Sequence, residues 1–239
     1  NGSNWGTSKT FGPKVNGLVE HDNIIHHPTA NYVKFYGMEN GLPLNDPNSG
    51  YDPNHPFKGR DPRFYHDIVF DGFKYVNSTM PADQEFMRYT QLSTNGIMRN
   101  DQNGSRTGYF IQKLVPHTAN KYDGAYNWSG SLHVYLPYMR LGDIYLMYAE
   151  ACAAFGGAKA KSTNFDKDAE GALNTLRDRV GAGHVSATYT ADNNKFMDEV
   201  RRERAVELSF EGFRFNDLQR WWGGTEYPYN VKTAHDFER

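Results

Sequence analysis

The sequence lacks the features that mark several large classes of protein. Cys152 is its one cysteine, so the chain forms no internal disulfide and has no second cysteine for a zinc site. No apolar run is long enough to cross a bilayer, and no basic-then-apolar signal peptide opens the chain. The net charge of −2 does not indicate nucleic acid or an anionic membrane as a partner. What remains is a polar chain of 239 residues, long enough for one large domain or two small ones.

Motifs of the common enzyme and metal-binding families are also lacking. No Walker loop, GxSxG or Rossmann fingerprint occurs, and none of the nine histidines shows HExxH spacing. Asp46, Asn48, Gly50 and Asp52 imitate the start of a calcium loop, but its twelfth position is Phe57 instead of glutamate. We therefore expect no cofactor, and ordinary Asx turns are favoured over calcium at this loop.

Aromatic residues, in contrast, make up 15 % of the chain, although its mean hydropathy is −0.76. Sugar rings have apolar CH faces that stack on aromatic rings, while nearby polar groups bind hydroxyls. The best candidate surface is ANKYDGAYNWSGS, residues 119 to 131, which mixes rings with Gly, Asn and Ser. The candidate ligand-binding residues are Tyr122, Tyr126, Trp128 and, more weakly, Tyr89 and Tyr109. The alternative is that these rings pack the loop against the rest of the protein.

Composition divides the chain near residue 136. Residues 1–135 are rich in Asn, Gly, Pro and Asp, which predicts a loop-rich region with short strands that is either a recognition surface or part of an incomplete domain. Residues 136–222 are predicted to be a helical region, and residues 223–239 a tail. Within the first region, Asp71-Gly72 between two β-favouring runs predicts a hairpin over 67–76. GYFIQKLV, residues 108 to 115, is a second candidate strand.

Four amphipathic helices are predicted in the second region, which favours antiparallel pairs as in TPR-type arrays. The first, 139–155, ends at Gly156-Gly157, and the second begins after Asp166 or Asp168 and closes at Gly181 to Gly183. Asp192 or Asn193 caps the third helix. Gly212 separates the third helix from a short fourth one, and we expect Trp221 and Trp222, at its end, to enter a core.

Glu199, Glu203, Glu207 and Glu211 recur every fourth residue and form a stripe of like charge on the third helix. Arginine forks bind carboxylates at two points, so ion pairs with neighbouring helices explain the stripe. The catalytic alternative, glycoside hydrolysis, needs an acid with a raised pKa, whereas nearby arginines lower a carboxylate pKa. We interpret the stripe as scaffold.

These segments also carry a family resemblance. PYMRLGDIYLMYAEA, ALNTLRDRVGAG and RRERAVELSFEGFRFNDLQRWW, with PFKGRDPRFYHDIVFDG and TGYFIQKLV upstream, look like ordered blocks of the SusD/RagB family. The match covers roughly residues 32–222. The resemblance implies a mainly α-helical fold with TPR-like helix pairs and a loop-rich ligand-facing part, for which we take residues 1–135, and the sequence adds the small β-hairpin predicted above. The charges that look like framework residues are Arg60, Asp61, Arg63, Arg140, Glu203, Arg204, Glu207, Glu211, Arg214 and Asp217.

The resemblance implies a binding protein and not an enzyme. Family members are lipid-anchored at the extracellular face of the Bacteroidetes outer membrane, where they capture glycans, or in some members peptides, for a SusC-like TonB-dependent transporter. Leu141-Gly142-Asp143 stands where the family usually has Leu-Ala-Glu. The family's N-terminal half and its lipid-bearing cysteine have no counterpart here, so we expect a C-terminal portion whose helices pack against something absent. A helical-repeat module that binds protein or peptide is the alternative.

Overall fold

The computed structural model describes residues 26–100, 104–115, 120, 122–123 and 137–238, and most of its regular structure is helical. Its α-helices are α1 Ala30–Val33, α2 Pro62–Asp67, α3 Ile97–Asn100, α4 Leu141–Gly156, α5 Ala169–Val180, α6 Ala187–Thr190, α7 Asn193–Glu207 and α8 Arg214–Arg220. The strands are β1 Ile68–Val69 and β2 Phe110–Ile111, and 3-10 turns span Ala82–Met87 and Gly223–Thr225. No helix in these ranges is long and apolar enough to cross a membrane.

The described residues fall into two compact units. Within the described ranges, the first takes in 26–33, 66–100, 104–115, 120, 122–123 and 231–238, and the second takes in Lys34–Tyr65 and Pro137–Asn230. One crossing between the units therefore lies near the compositional change at residue 136. We call the first unit the strand unit and the second the helical unit.

The helical unit is organised around α4, which packs against both α5 and α7. The predicted caps are confirmed. The Asp168 carboxylate accepts a hydrogen bond from Gly171 N at 2.7 Å, and the Asp192 carboxylate accepts bonds from Asn194 N and Lys195 N. Gly181 ends α5 with a φ of 73°, a left-handed conformation that glycine adopts without strain. The buried cluster of this unit includes Leu146, Leu173, Leu176, Phe196 and Val200.

Helix α4 is apolar on two sides. Its buried side is made of small residues and one leucine: Gly142, Leu146, Ala149 and Ala153, together with Asp143. Its other side carries Leu141, Ile144, Met147, Ala151, Ala154 and Phe155, which are all exposed. We call this second side the outer face of α4; at 100° per residue it covers roughly 140° of the helix and holds no charge.

Glu199, Glu203 and Glu207 lie on α7, whereas Glu211, which was predicted on the same helix, follows its end at Glu207. Three buried or half-buried arginines each bridge two successive glutamates of this set. Arg177 joins Glu199 and Glu203, each at 2.9 Å; Arg63 joins Glu203 and Glu207 at 2.5 and 3.0 Å; Arg140 joins Glu207 and Glu211 at 2.5 and 2.8 Å. We call this chain of contacts the Glu–Arg ladder. The scaffold interpretation agrees with this geometry, although Arg63 comes from outside the four helices predicted from the sequence.

A second group of ion pairs holds α8 to α7 and α4. Arg204 of α7 donates hydrogen bonds to Asp143 and to Asp217, both at 2.9 Å, and all three side chains are buried. Trp221 follows α8 half-buried, and its indole N–H donates to Glu150 Oε1 at 2.8 Å. The expectation that Trp222 enters a core is wrong for the described residues. Trp222 is 88 % exposed, because its backbone turns into the left-handed region with a φ of 55°.

In the strand unit, the Asp71-Gly72 turn forms but the hairpin predicted across it does not. Gly72 has a φ of 82°, whereas Asp71 is not left-handed, and a type I′ hairpin turn needs positive φ at both positions. The two arms therefore separate. β1 pairs antiparallel with β2, which is the part of 108–115 that forms a strand, and Lys74 pairs with Tyr89.

Candidate functional site

The predicted ligand-binding rings differ widely in exposure. Tyr89 is 49 % exposed, Tyr122 is half-buried, and Tyr109 is 4 % exposed. Tyr109 lies just before β2 with its ring 5.6 Å from that of His235, so it offers no face to a ligand and we drop it as a candidate. Tyr126 and Trp128 lie outside the described residues, so their place in the site stays a prediction.

Tyr89 is positioned by two short extended segments that run antiparallel. Tyr75 N donates to Arg88 O, and Thr90 N donates to Phe73 O, both at 2.9 Å. These two bonds flank the opposed residues Lys74 and Tyr89. Because side chains alternate along extended chain, Tyr75 turns into the core of the strand unit while the Lys74 and Tyr89 side chains are exposed. The Tyr89 ring is therefore held outward by backbone hydrogen bonds on both sides.

Arg88 ties the neighbouring 3-10 turn to the first of these segments. Its guanidinium pairs with Glu85 through Nε and Nη2, and its Nη1 donates to Val76 O at 3.1 Å and Ser78 O at 2.9 Å. The hydrogen bond from Arg88 lowers the pKa of Glu85, and Glu85 in turn raises the pKa of Arg88. This arginine is fully occupied by protein groups and is not available to a ligand.

Tyr122 contacts the same 3-10 turn. Its hydroxyl donates to Gln84 Oε1, and its ring packs against the core of the strand unit. The adjacent Asp123 carboxylate accepts hydrogen bonds from Asn77 N, Ser78 N and Asn120 Nδ2. Burial alone would raise the pKa of Asp123, but the bonds from Asn120 and Ser78 hold it below its usual range. Tyr122 therefore fits the packing alternative better than a free stacking platform.

We call the resulting candidate site the 74–89 surface and define it by Lys74, Gln84, Phe86 and Tyr89. Phe86 is 54 % exposed, three residues before Tyr89. Sequence reasoning missed Lys74, Gln84 and Phe86. The pairing of Lys74 with Tyr89 depends on register across a 14-residue connection, and neither segment contains a motif that fixes this register. The alternation of Lys74 with the apolar Phe73 and Tyr75 was the one available signal.

The calcium-like loop is organised by its own turns. Asp46 accepts hydrogen bonds from Asn48 N at 2.8 Å and from the Tyr189 hydroxyl at 2.7 Å, while Asp52 accepts from Asn54 N and pairs with His55. The bonds from Asn48 N and Asn54 N are Asx turns of the kind that the sequence favoured. Within the described ranges, no three His, Cys, Asp or Glu side chains come together as a metal site would require.

The sequence model of the SusD family matches residues 1–238. Among solved structures, a SusD-like protein from Bacteroides fragilis is 28 % identical with a TM-score of 0.62 over 83 % of this chain. A protein named BT4246 is 25 % identical with a TM-score of 0.63 over 90 % of it. A SusD-like carbohydrate-binding protein from B. fragilis, 24 % identical over 82 % of this chain with a TM-score of 0.52, bears on the fold alone. No curated protein matches the chain.

These likenesses and the described helices show the mainly α-helical, SusD-like fold that the resemblance implied. The small β element is a two-stranded sheet of distant segments instead of the hairpin expected. The matched part is 35 to 37 % of the length of those three structures.

Proposed function

Because the chain belongs to the SusD family, we propose that it binds nutrients at the bacterial surface. It captures oligosaccharides there, and a SusC-like TonB-dependent transporter imports them. An outer-membrane location with a lipid anchor is part of the same proposal. Cys152 is not the anchored residue, since it lies half-buried within α4.

The observation that supports glycan binding is the exposed ring of Tyr89 on a fixed backbone. Because the backbone that carries this ring is already ordered, stacking on a sugar costs less conformational entropy than it would on a mobile loop. Phe86, whose ring is 54 % exposed, and the half-buried Gln84 lie within five residues of it along the chain, and we include them in the proposed site as a second ring and a polar group. Concave or flat surfaces with rings and a few polar groups are typical of small-ligand sites.

The charges of the protein favour binding over hydrolysis. Glycosidases need a carboxylic acid whose pKa is raised by an apolar site. Here burial by itself would raise the pKa of Glu203, but Arg63 and Arg177 overcome that effect and hold it at about 2. Glu199, although it is buried, also has a lowered pKa because of Arg202 and Arg177. Such carboxylates stay ionised and paired, which suits a scaffold.

A binding screen tests the proposal. Residues 1–239 are titrated with a panel of oligosaccharides and with a panel of peptides, and the sugars are analysed for products after incubation. We expect saturable binding of at least one oligosaccharide and no cleavage. Peptide binding without glycan binding would support the peptide-binding alternative, and cleavage would contradict the non-enzymatic role.

A further inference from the structure

Lys74 and Tyr89 form a cross-strand pair in which both side chains face solvent. The two hydrogen bonds that flank them run from Tyr75 N to Arg88 O and from Thr90 N to Phe73 O. This pattern defines a non-hydrogen-bonded antiparallel pair, in which Cα atoms lie about 4.5 Å apart and the two side chains share a face. An ammonium group and an aromatic ring are thus presented side by side.

The Lys74 ammonium, like that of Lys232, is exposed and differs from several other cations of the strand unit. Three of these form ion pairs: Arg88 with Glu85, Arg99 with Asp236, and Lys113 with Asp67. Lys74 pairs with no acid within the described part of the chain. Its charge therefore remains available to a ligand.

The carboxylates near this pair are mostly engaged by N–H groups of the protein. Asp71 accepts from Leu92 N at 2.7 Å, Asp123 accepts from backbone amides, and Glu85 is held by Arg88. Asp83, in the first turn of the 3-10 segment, is exposed and weakens the local positive potential. An anion placed at Lys74 therefore gains a moderate attraction, in the range of exposed ion pairs.

We propose that Lys74 and Tyr89 form a subsite for an acidic sugar, whose ring stacks on Tyr89 while its carboxylate or sulfate pairs with Lys74. This inference rests on the proposed glycan-binding function and names the substrate class. The stack contributes to binding of any sugar, and the ammonium selects those that carry negative charge. Selection of this kind follows from a difference in affinity between two ligands that are otherwise alike.

The test uses residues 1–239 and matched pairs of ligands. One pair is an oligogalacturonate and its methyl ester, and the other is a sulfated oligosaccharide and its desulfated form. Affinities are measured for the parent, Lys74→Gln, Tyr89→Ala and the control Lys58→Gln, which removes an exposed lysine of the helical unit. Melting curves check that each variant is folded.

We expect the parent to bind at least one acidic ligand about threefold to tenfold more tightly than its neutral partner. Lys74→Gln abolishes this preference because it weakens the acidic ligand more than its neutral partner, while Tyr89→Ala weakens both ligands to a similar extent. The preference also falls at high salt, because exposed charges are screened. A preference within the oligogalacturonate pair identifies a carboxylate as the recognised group, and a preference within the sulfated pair identifies a sulfate.

Two kinds of result would overturn the inference. If neutral glycans bind and no acidic form is preferred, or if Lys58→Gln removes the preference as Lys74→Gln does, the subsite is wrong while the proposed function stands. If no glycan of either charge binds, both the subsite and the proposed function fail.

Discussion

The guanidinium of Arg177 and the carboxylate of Glu203 form an ion pair at 2.9 Å in which both side chains are 1 % exposed. Arg177 also pairs with Glu199, so one cation neutralises glutamates on two successive turns of α7. A charge without its partner at such a site has neither water nor a counterion. The Glu–Arg ladder therefore makes α5, α7 and the segment around Arg63 depend on one another for stability.

Arg177→Ala should lower the free energy of unfolding by about 3 kcal/mol, the lower end of the cost of breaking a buried pair, because Glu203 and Glu199 each lose one cation and keep only Arg63 and Arg202 respectively. Arg201→Ala is the matched control. Arg201 forms an exposed pair with Asp198, and we expect that control to cost about 1 kcal/mol or less. Urea unfolding measures both. Equal losses in the two variants would contradict the ladder as a source of stability.

Acid should weaken the fold through Glu203. Its folded pKa of about 2 lies below the value of about 4.3 for an unfolded glutamate. A carboxylate whose pKa is lower in the folded state than in the unfolded state stabilises the fold at pH values above its unfolded pKa. This stabilisation is lost as the pH falls from the unfolded pKa towards the folded pKa. The free energy of unfolding should thus decline between about pH 4.3 and 2. Urea unfolding across this range should show a shallower decline for Glu203→Gln, and an unchanged slope would exclude Glu203 as a cause.

The two tryptophans after α8 should behave differently. Trp221 donates to Glu150, and its ring lies 4.6 Å from the Arg220 guanidinium, so Trp221→Ala should destabilise by about 2–4 kcal/mol. Trp222→Ala, at an exposed site, should change stability by about 0.5 kcal/mol or less. Thermal melting of both variants decides the point. A large loss for Trp222→Ala would show that its ring is covered in solution.

The outer face of α4 should be visible to a hydrophobic dye. Leu141 is 68 % exposed, Ile144 43 % and Phe155 89 %, and a contiguous apolar surface of this kind favours dye binding or association. The double variant Leu141→Gln/Ile144→Gln should reduce dye binding and association without lowering the melting temperature. A parent that stays monomeric and binds little dye would contradict the expectation that this face lacks its partner.

Much of the helical unit follows from local signals in the sequence. Asp168, Asp192 and Gly181 fix helix ends through contacts with residues a few positions away, so spacing alone predicts them. The ladder was only partly predictable, because Arg63 meets Glu203 across 140 positions of the chain. The pairing of Lys74 with Tyr89 was not predictable. The turn at Gly72 is not a hairpin turn, so the segments on either side of it pair with segments elsewhere in the chain and not with each other.

In the proposed function, exposed rings of the strand unit bind a glycan, and calorimetric titration with the oligosaccharide that the parent binds is the sharpest test of this role. Tyr89→Ala, and Trp128→Ala in the predicted aromatic loop, should each weaken binding by about tenfold, equivalent to about 1.4 kcal/mol, with an unchanged melting temperature. Tyr138→Ala, which removes a 99 % exposed ring of the helical unit, should bind like the parent. Parental affinity in both Tyr89→Ala and Trp128→Ala, with normal melting, would contradict this role.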